Sequence, residues 1–226
     1  MALTELWRTF LRTQLTRVRL LVIVTGGIAL VLLTATIDAR AAGDVLEPLG
    51  LGLLVPLVTL VIASSTLGDL DRDGGLVYVW LPPVARWRLA AAAFLAVATI
   101  VVPAAVLPLT LAGLVAGQGP AAAGAGLAAG LAALAYGAVF LGLGLRVPRA
   151  LVVGLVYVVL WESGAVAVSD TLGRVSVRWY AAGLLDRFVG LPDPTGAPSA
   201  TGLGLLVITA GGFAATVWLL RRHRLT

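Results

Sequence analysis

Long apolar runs, broken by short clusters of charge, set the pattern of this chain. Residues 3–18 come first and are mixed: Leu3, Leu6, Trp7, Phe10, Leu11, Leu15 and Val18 recur at helical spacing, while Glu5, Arg8, Arg12 and Arg17 face the other way. That periodicity predicts an amphipathic helix. Its basic polar face, with Trp and Phe opposite, predicts that it lies in a membrane interface rather than serving as a solvated leader. Residues 20–37 then run for 18 positions without a charge, about 27 Å as helix and enough to cross a hydrocarbon core. Ala39-Arg40-Ala41 resembles a small-residue cleavage site. The basic leader is too long and the apolar run exceeds a usual signal-peptide core, so a retained span is expected.

A net acidic loop (Asp38, Arg40, Asp44, Glu47) leads to a second apolar run, 48–68, with Pro56 inside it. Proline there frees a carbonyl and predicts a structural kink, a gating hinge being the sharper alternative. Ser64, Ser65 and Thr66 can bond to carbonyls of their own helix. After the charged stretch 69–88, residues 89–145 hold 57 positions without a charge, the length of two spans. Gly117-Gln118-Gly119-Pro120 divides them into 89–116 and 121–145. Gly126 and Gly130 form a small-xxx-small pair, read as tight helix packing rather than as a specific dimer contact.

Arg146-Val147-Pro148-Arg149 is a basic turn before a fifth run, 150–168, which contains Glu162 beside Trp161. A carboxylate within a span is costly and reads as functional by default. Twelve residues from the basic turn place it about 18 Å along the helix, so a polar contact inside the bundle and a position at the interface both stay open. Pro56, Ser64, Ser65 and Glu162 are the candidates for a translocation path or its gate. Residues 169–199 form a longer segment in which Trp179, Tyr180, Leu184, Leu185 and Phe188 could line one side of a short interfacial helix, before a Pro/Gly-rich connection. Residues 200–220 are the sixth run, and Arg221-Arg222-His223-Arg224 follows.

Assigning alternate loops to two sides puts twelve Arg residues on the side of the N-terminus, the 69–88 stretch, the basic turn and the tail, against four on the other. The positive-inside rule then predicts six spans with both termini and residues 69–88 in the cytoplasm. Composition agrees with a membrane protein: 60% hydrophobic and 12% charged, with a mean hydropathy of +1.03, against about 25% charged in soluble domains. The net charge of +5 is explained by Arg at the ends of apolar runs, without nucleic acid. There is no Cys and a single His, and all 16 basic residues are Arg. A thiol nucleophile, a His-based catalytic pair and the Lys-containing phosphate-binding loop of nucleotide hydrolases are therefore excluded. The chain is not expected to be an enzyme by itself. No linker or domain boundary interrupts it, so 1–226 is expected to be one membrane domain.

The stretch 69–88 carries the most recognisable residues. Asp71-Arg72-Asp73-Gly74-Gly75-Leu76, followed by Leu81-Pro82-Pro83-Val84-Ala85-Arg86-Trp87, resembles the segment between the second and third spans of ABC-2-type transporter permeases. Gly75 stands where that family usually has Thr, and Ala85 where it usually has Ser. The resemblance extends over the whole chain, from the amphipathic N-terminal helix to the long segment before the last span. It implies an all-α permease subunit of a bacterial ABC exporter in the cell membrane, with 69–88 as a coupling helix docking on a separate ATPase. It also implies two ATPase copies that bind ATP and Mg, none of it bound by this chain, and a second permease, identical or related. Asp69, Asp71, Arg72, Asp73, Gly74 and Arg86 are the implied coupling residues. The three acids form a negative patch on an Arg-rich face, suited to a basic partner surface. Arg86 and Arg88 could instead anchor to lipid phosphate. A hydrophobic or amphiphilic cargo fits the apolar spans. The alternatives are a non-transporting accessory or immunity protein, which needs no ATPase, and an intramembrane hydrolase. The hydrolase is disfavoured because the spans hold a single carboxylate.

Overall fold

The computed structural model describes residues 3–37, 45–72, 85–117, 119–165, 173–189 and 200–222. Among these every regular element is a helix. Helix α1 spans Leu3–Gln14 and α2 spans Arg17–Ala35. Helix α3 begins as a π-helical segment, Leu46–Leu54, and continues as an α-helix, Val55–Arg72. Helices α4 (Arg86–Val115) and α5 (Gly119–Arg146) are joined by a turn at Gly117, whose φ of 73° suits glycine. Helix α6 is α-helical over Ala150–Val156 and π-helical over Tyr157–Ala165. Helices α7 (Val177–Val189) and α8 (Ala200–Arg222) complete the described chain.

Among the described residues five helices are long and apolar enough to cross a membrane: α2, α3, α4, α5 and α8. The expected fifth run, 150–168, is helical over 150–165, and 166–168 lie outside the described residues. The N-terminal helix ends sooner than the apolar spacing suggests. Thr16 adopts extended backbone and its side chain accepts from the Arg19 N–H, so the chain breaks at 15–16 and α2 starts afresh.

Helix α5 is the axis of the bundle, packed against α3, α4, α7 and α8. Its alanines and glycines make this possible. A Cβ on Gly144 would collide with the Ser64 carbonyl of α3, and one on Gly212 of α8 would sit 3.0 Å from the α5 backbone at Ala138. Gly126 and Gly130 face Val106 and Thr110 of α4, so the small-xxx-small pair packs within the chain. Helices α4 and α5 run in opposite directions, Gly113 near the end of α4 meeting Ala122 near the start of α5, whereas α3 and α8 run parallel to α5.

The periphery is apolar and uncovered. Only 17% of the membrane-length window of α2, and the same share of α8, is buried. Large side chains such as Val18, Leu21, Val207 and Leu160 stand exposed, as expected where lipid replaces water. Helix α1 turns Leu6, Phe10 and Gln14 inward and packs on α4, where the Trp7 indole donates to Thr99 Oγ1 at 3.2 Å. The amphipathic face predicted from the sequence is therefore used against protein.

Candidate functional site

Two polar constellations stand out, one toward each end of the bundle. The first is built on Glu162, which is fully buried. In an α-helix, residues five apart point about 140° away from each other. The π winding of α6 brings Tyr157 and Glu162 onto one side, and the Tyr157 hydroxyl donates to Glu162 Oε1 at 2.8 Å. The Val177 N–H donates to the same oxygen at 3.3 Å. The Ser176 hydroxyl and the Arg178 N–H (3.0 Å) donate to Oε2. Four donors thus fill the four lone-pair positions of one carboxylate.

Three of these donors come from the start of α7. Ser176 is its N-cap, accepting from the Trp179 N–H at 3.2 Å, and Glu162 takes the two N–H groups that precede it. A carboxylate at the positive end of a helix dipole, bonded to otherwise orphaned N–H groups, is a favourable place for a buried charge. The next residue links a third helix: Arg178 Nε and Nη2 both lie 2.8 Å from Oε1 of Glu47 in α3. Its guanidinium packs against Gly52, where a Cβ would lie 3.1 Å away. Tyr157 meets Phe140 edge-on at 6.2 Å, and Phe140 stacks on Tyr136 at 5.6 Å. The buried Tyr136 hydroxyl has no hydrogen-bond partner among the described residues. Glu162 therefore clamps α6, α7 and, through Arg178, α3.

The second constellation lies where α3 and α4 meet the undescribed connection between them. Arg19 at the start of α2 binds Asp69 at 3.4 Å and the Gln14 side-chain oxygen. The Ser65 hydroxyl reaches the same Gln14 oxygen at 3.0 Å. The end of α3 is thus tied to α1 and α2. Arg86, at the first position of α4, donates to the Leu220 and Arg221 carbonyls at 2.9 and 2.6 Å. A cation on the last carbonyls of α8 complements its dipole. Trp87 and Trp218 stand half-exposed at this end, with Arg88 and Arg222 over their rings.

Of the residues singled out from sequence, Asp69 and Arg86 flank this connection, each engaged with the chain's own groups. Asp71 and Arg72 lie in the last turn of α3, and Asp73 and Gly74 lie outside the described residues. Ser64 and Ser65 bond back to the Leu60 and Val61 carbonyls at 2.6 and 2.8 Å. Pro56 sits just past the switch from π to α winding in α3, where a missing N–H is absorbed by a helix already changing register. Glu47, Tyr157, Ser176 and Arg178, which complete the Glu162 cluster, were not anticipated. Ser176 carried a readable signal, a cap residue ahead of a helical stretch; the five-residue spacing of Tyr157 and Glu162 does not read as one face of an α-helix.

Fold and site together define a multi-pass helical membrane protein. The chain matches no known protein-family model, and a search of curated proteins returns no relative.

Proposed function

We propose that this chain is the membrane-spanning permease subunit of an ATP-driven exporter of the ABC-2 type. In this reading α2, α3, α4, α5, α6 and α8 make six crossings of a bacterial cell membrane, with both termini inside. The observation that carries it is the placement of the acidic-Arg-acidic-Gly and Pro-Val-x-Arg-Trp residues between α3 and α4, at the Arg- and Trp-rich end of the bundle. Both flanks of that segment are tied down, Asp69 to α2 and Arg86 to α8. A load applied to the segment by a partner would be passed beyond α3 and α4 to α2 and α8. That is the mechanical requirement of a coupling element, since a conformational signal needs a rigid connection to a movable one.

The permease reading assigns 69–88 to a separate ATPase, with ATP and Mg on that chain, and pairs the permease with a second copy or a relative. The cargo is hydrophobic or amphiphilic. The test is capture in living cells: a photo-crosslinking residue in place of Gly74 should link to an ATPase chain. Capture of lipid alone would overturn the docking role.

One observation favours a second reading, a non-transporting accessory protein. The buried carboxylate and the Ser64 and Ser65 hydroxyls have bonds inside the chain, as a purely structural bundle requires. In the permease reading the same fact moves the cargo path to the surface between two permeases.

A further inference from the structure

Two helices depart from α winding, and they do so at the same place. The π segments Leu46–Leu54 of α3 and Tyr157–Ala165 of α6 run for nine residues each, whereas π winding is ordinarily confined to a single turn. They touch each other, and both meet the start of α7. One residue there engages both. The Arg178 N–H donates to Glu162 in the α6 segment at 3.0 Å. The Arg178 side chain donates from Nε to Glu47 in the α3 segment at 2.8 Å and lies against Gly52 of that segment. We propose that Arg178 is the latch of a coupled register switch: while it holds Glu47 and Glu162 both segments stay π-wound, and its release lets both rewind as α-helix.

Residue spacing carries this assignment. Glu47 and Gly52 are five residues apart, and so are Tyr157 and Glu162. In α winding, residues five apart point about 140° away from each other. In π winding each N–H bonds five residues back, which sets such a pair on one side. Each segment therefore offers the cluster a pair that α winding would pull apart: Glu47 with Gly52 around the guanidinium, and Tyr157 with Glu162 through their 2.8 Å bond. The α3 segment keeps this bonding to its end, where the Val55 N–H reaches back to the Gly50 carbonyl. Helix α6 is ordinary α-helix up to Tyr157, whose N–H bonds to Val153 and Gly154. The winding changes at the residue that meets Glu162. Since α winding is far the commoner state, the contacts of the cluster are what hold the wider turns. Because the two segments share Arg178, they form one two-state element. Rewinding turns Glu47 from the guanidinium and Glu162 from α7, and so loosens the end of the bundle where α3, α6 and α7 meet. This device is independent of the transporter reading.

The test uses the full-length chain in detergent, which has no Cys of its own, and thiol pairs placed five residues apart. Leu49→Cys with Leu54→Cys reads the α3 segment, where both positions line one groove beside α2. Val159→Cys with Gly164→Cys reads the α6 segment, at an exposed side chain and a glycine with open space around it. Dibromobimane, which fluoresces when it bridges two thiols, should bridge both pairs while Arg178 and Glu47 are present. Arg178→Ala should abolish both bridges. Glu47→Ala removes the more exposed partner and is the milder change; it should abolish the bridge in α3 and also the bridge at 159 and 164, in a different helix. Val207→Cys with Gly211→Cys, four apart on the exposed face of α8, should be bridged in every variant and so reports that the helices stay formed. A bridge at 159 and 164 that survives Glu47→Ala would overturn the coupling and make each winding a local property of its own sequence. Absence of that bridge before any change to Arg178 or Glu47 would overturn the switch altogether.

Discussion

Glu162 spends its whole hydrogen-bonding capacity on its own chain. That makes it first a fastener: its carboxylate holds α7 to α6 and sets Arg178 toward Glu47. Glu162→Gln substitutes two donors for an oxygen that now accepts from Ser176 and Arg178, so donors face donors. The expected loss is about 1–3 kcal/mol of stability, the cost of leaving buried groups unsatisfied, read as a lower melting temperature in detergent. Ser176→Ala should cost about 1 kcal/mol through the lost cap and should be partly redundant with Glu162→Gln in a double mutant, because the two share one network. Strictly additive losses would show that the cluster does not act as a unit. The sequence marked Glu162 as unusual through its charge in an apolar run. Its partners stayed hidden because three of the four donors belong to residues 176–178, across a connection no local pattern spans.

At the scale of elements, the composition of α5 is the cause of its position. A helix surrounded by four others must let their backbones approach, and only small residues do so. Gly144→Ala sets a methyl group against the Ser64 carbonyl and should destabilise by about 1–3 kcal/mol through overpacking. The same change at Gly202, which has open space around it, should be nearly silent or mildly stabilising. Equal effects at the two sites would contradict the packing described. Arg86 ties the first turn of α4 to the last turn of α8. Arg86→Ala should raise amide hydrogen exchange in the final turn of α8 and leave the Glu162 cluster protected. The helices themselves were legible because uncharged length is a strong signal. The π segments were not, since winding depends on which tertiary contacts are satisfied.

For the whole molecule, the pattern of Arg and apolar length prefigured a helical membrane bundle, and the close approaches of α3, α4 and α8 to α5 then fixed how it is assembled. The chain has no Cys, so single introduced thiols report without background. Ala85 and Arg174 are exposed at opposite ends. A membrane-impermeant maleimide should label Arg174→Cys in intact cells and Ala85→Cys only after the membrane is opened; the reverse pattern would invert the topology. The proposed coupling to a motor through residues 69–88 can be tested by purification in mild detergent or native lipid. If it holds, an ATPase chain co-elutes with the tagged protein and is lost when Asp71 and Asp73 are changed to Arg, with membrane insertion intact. A stable, correctly inserted protein that brings down no ATPase from native lipid would contradict it and favour the accessory role.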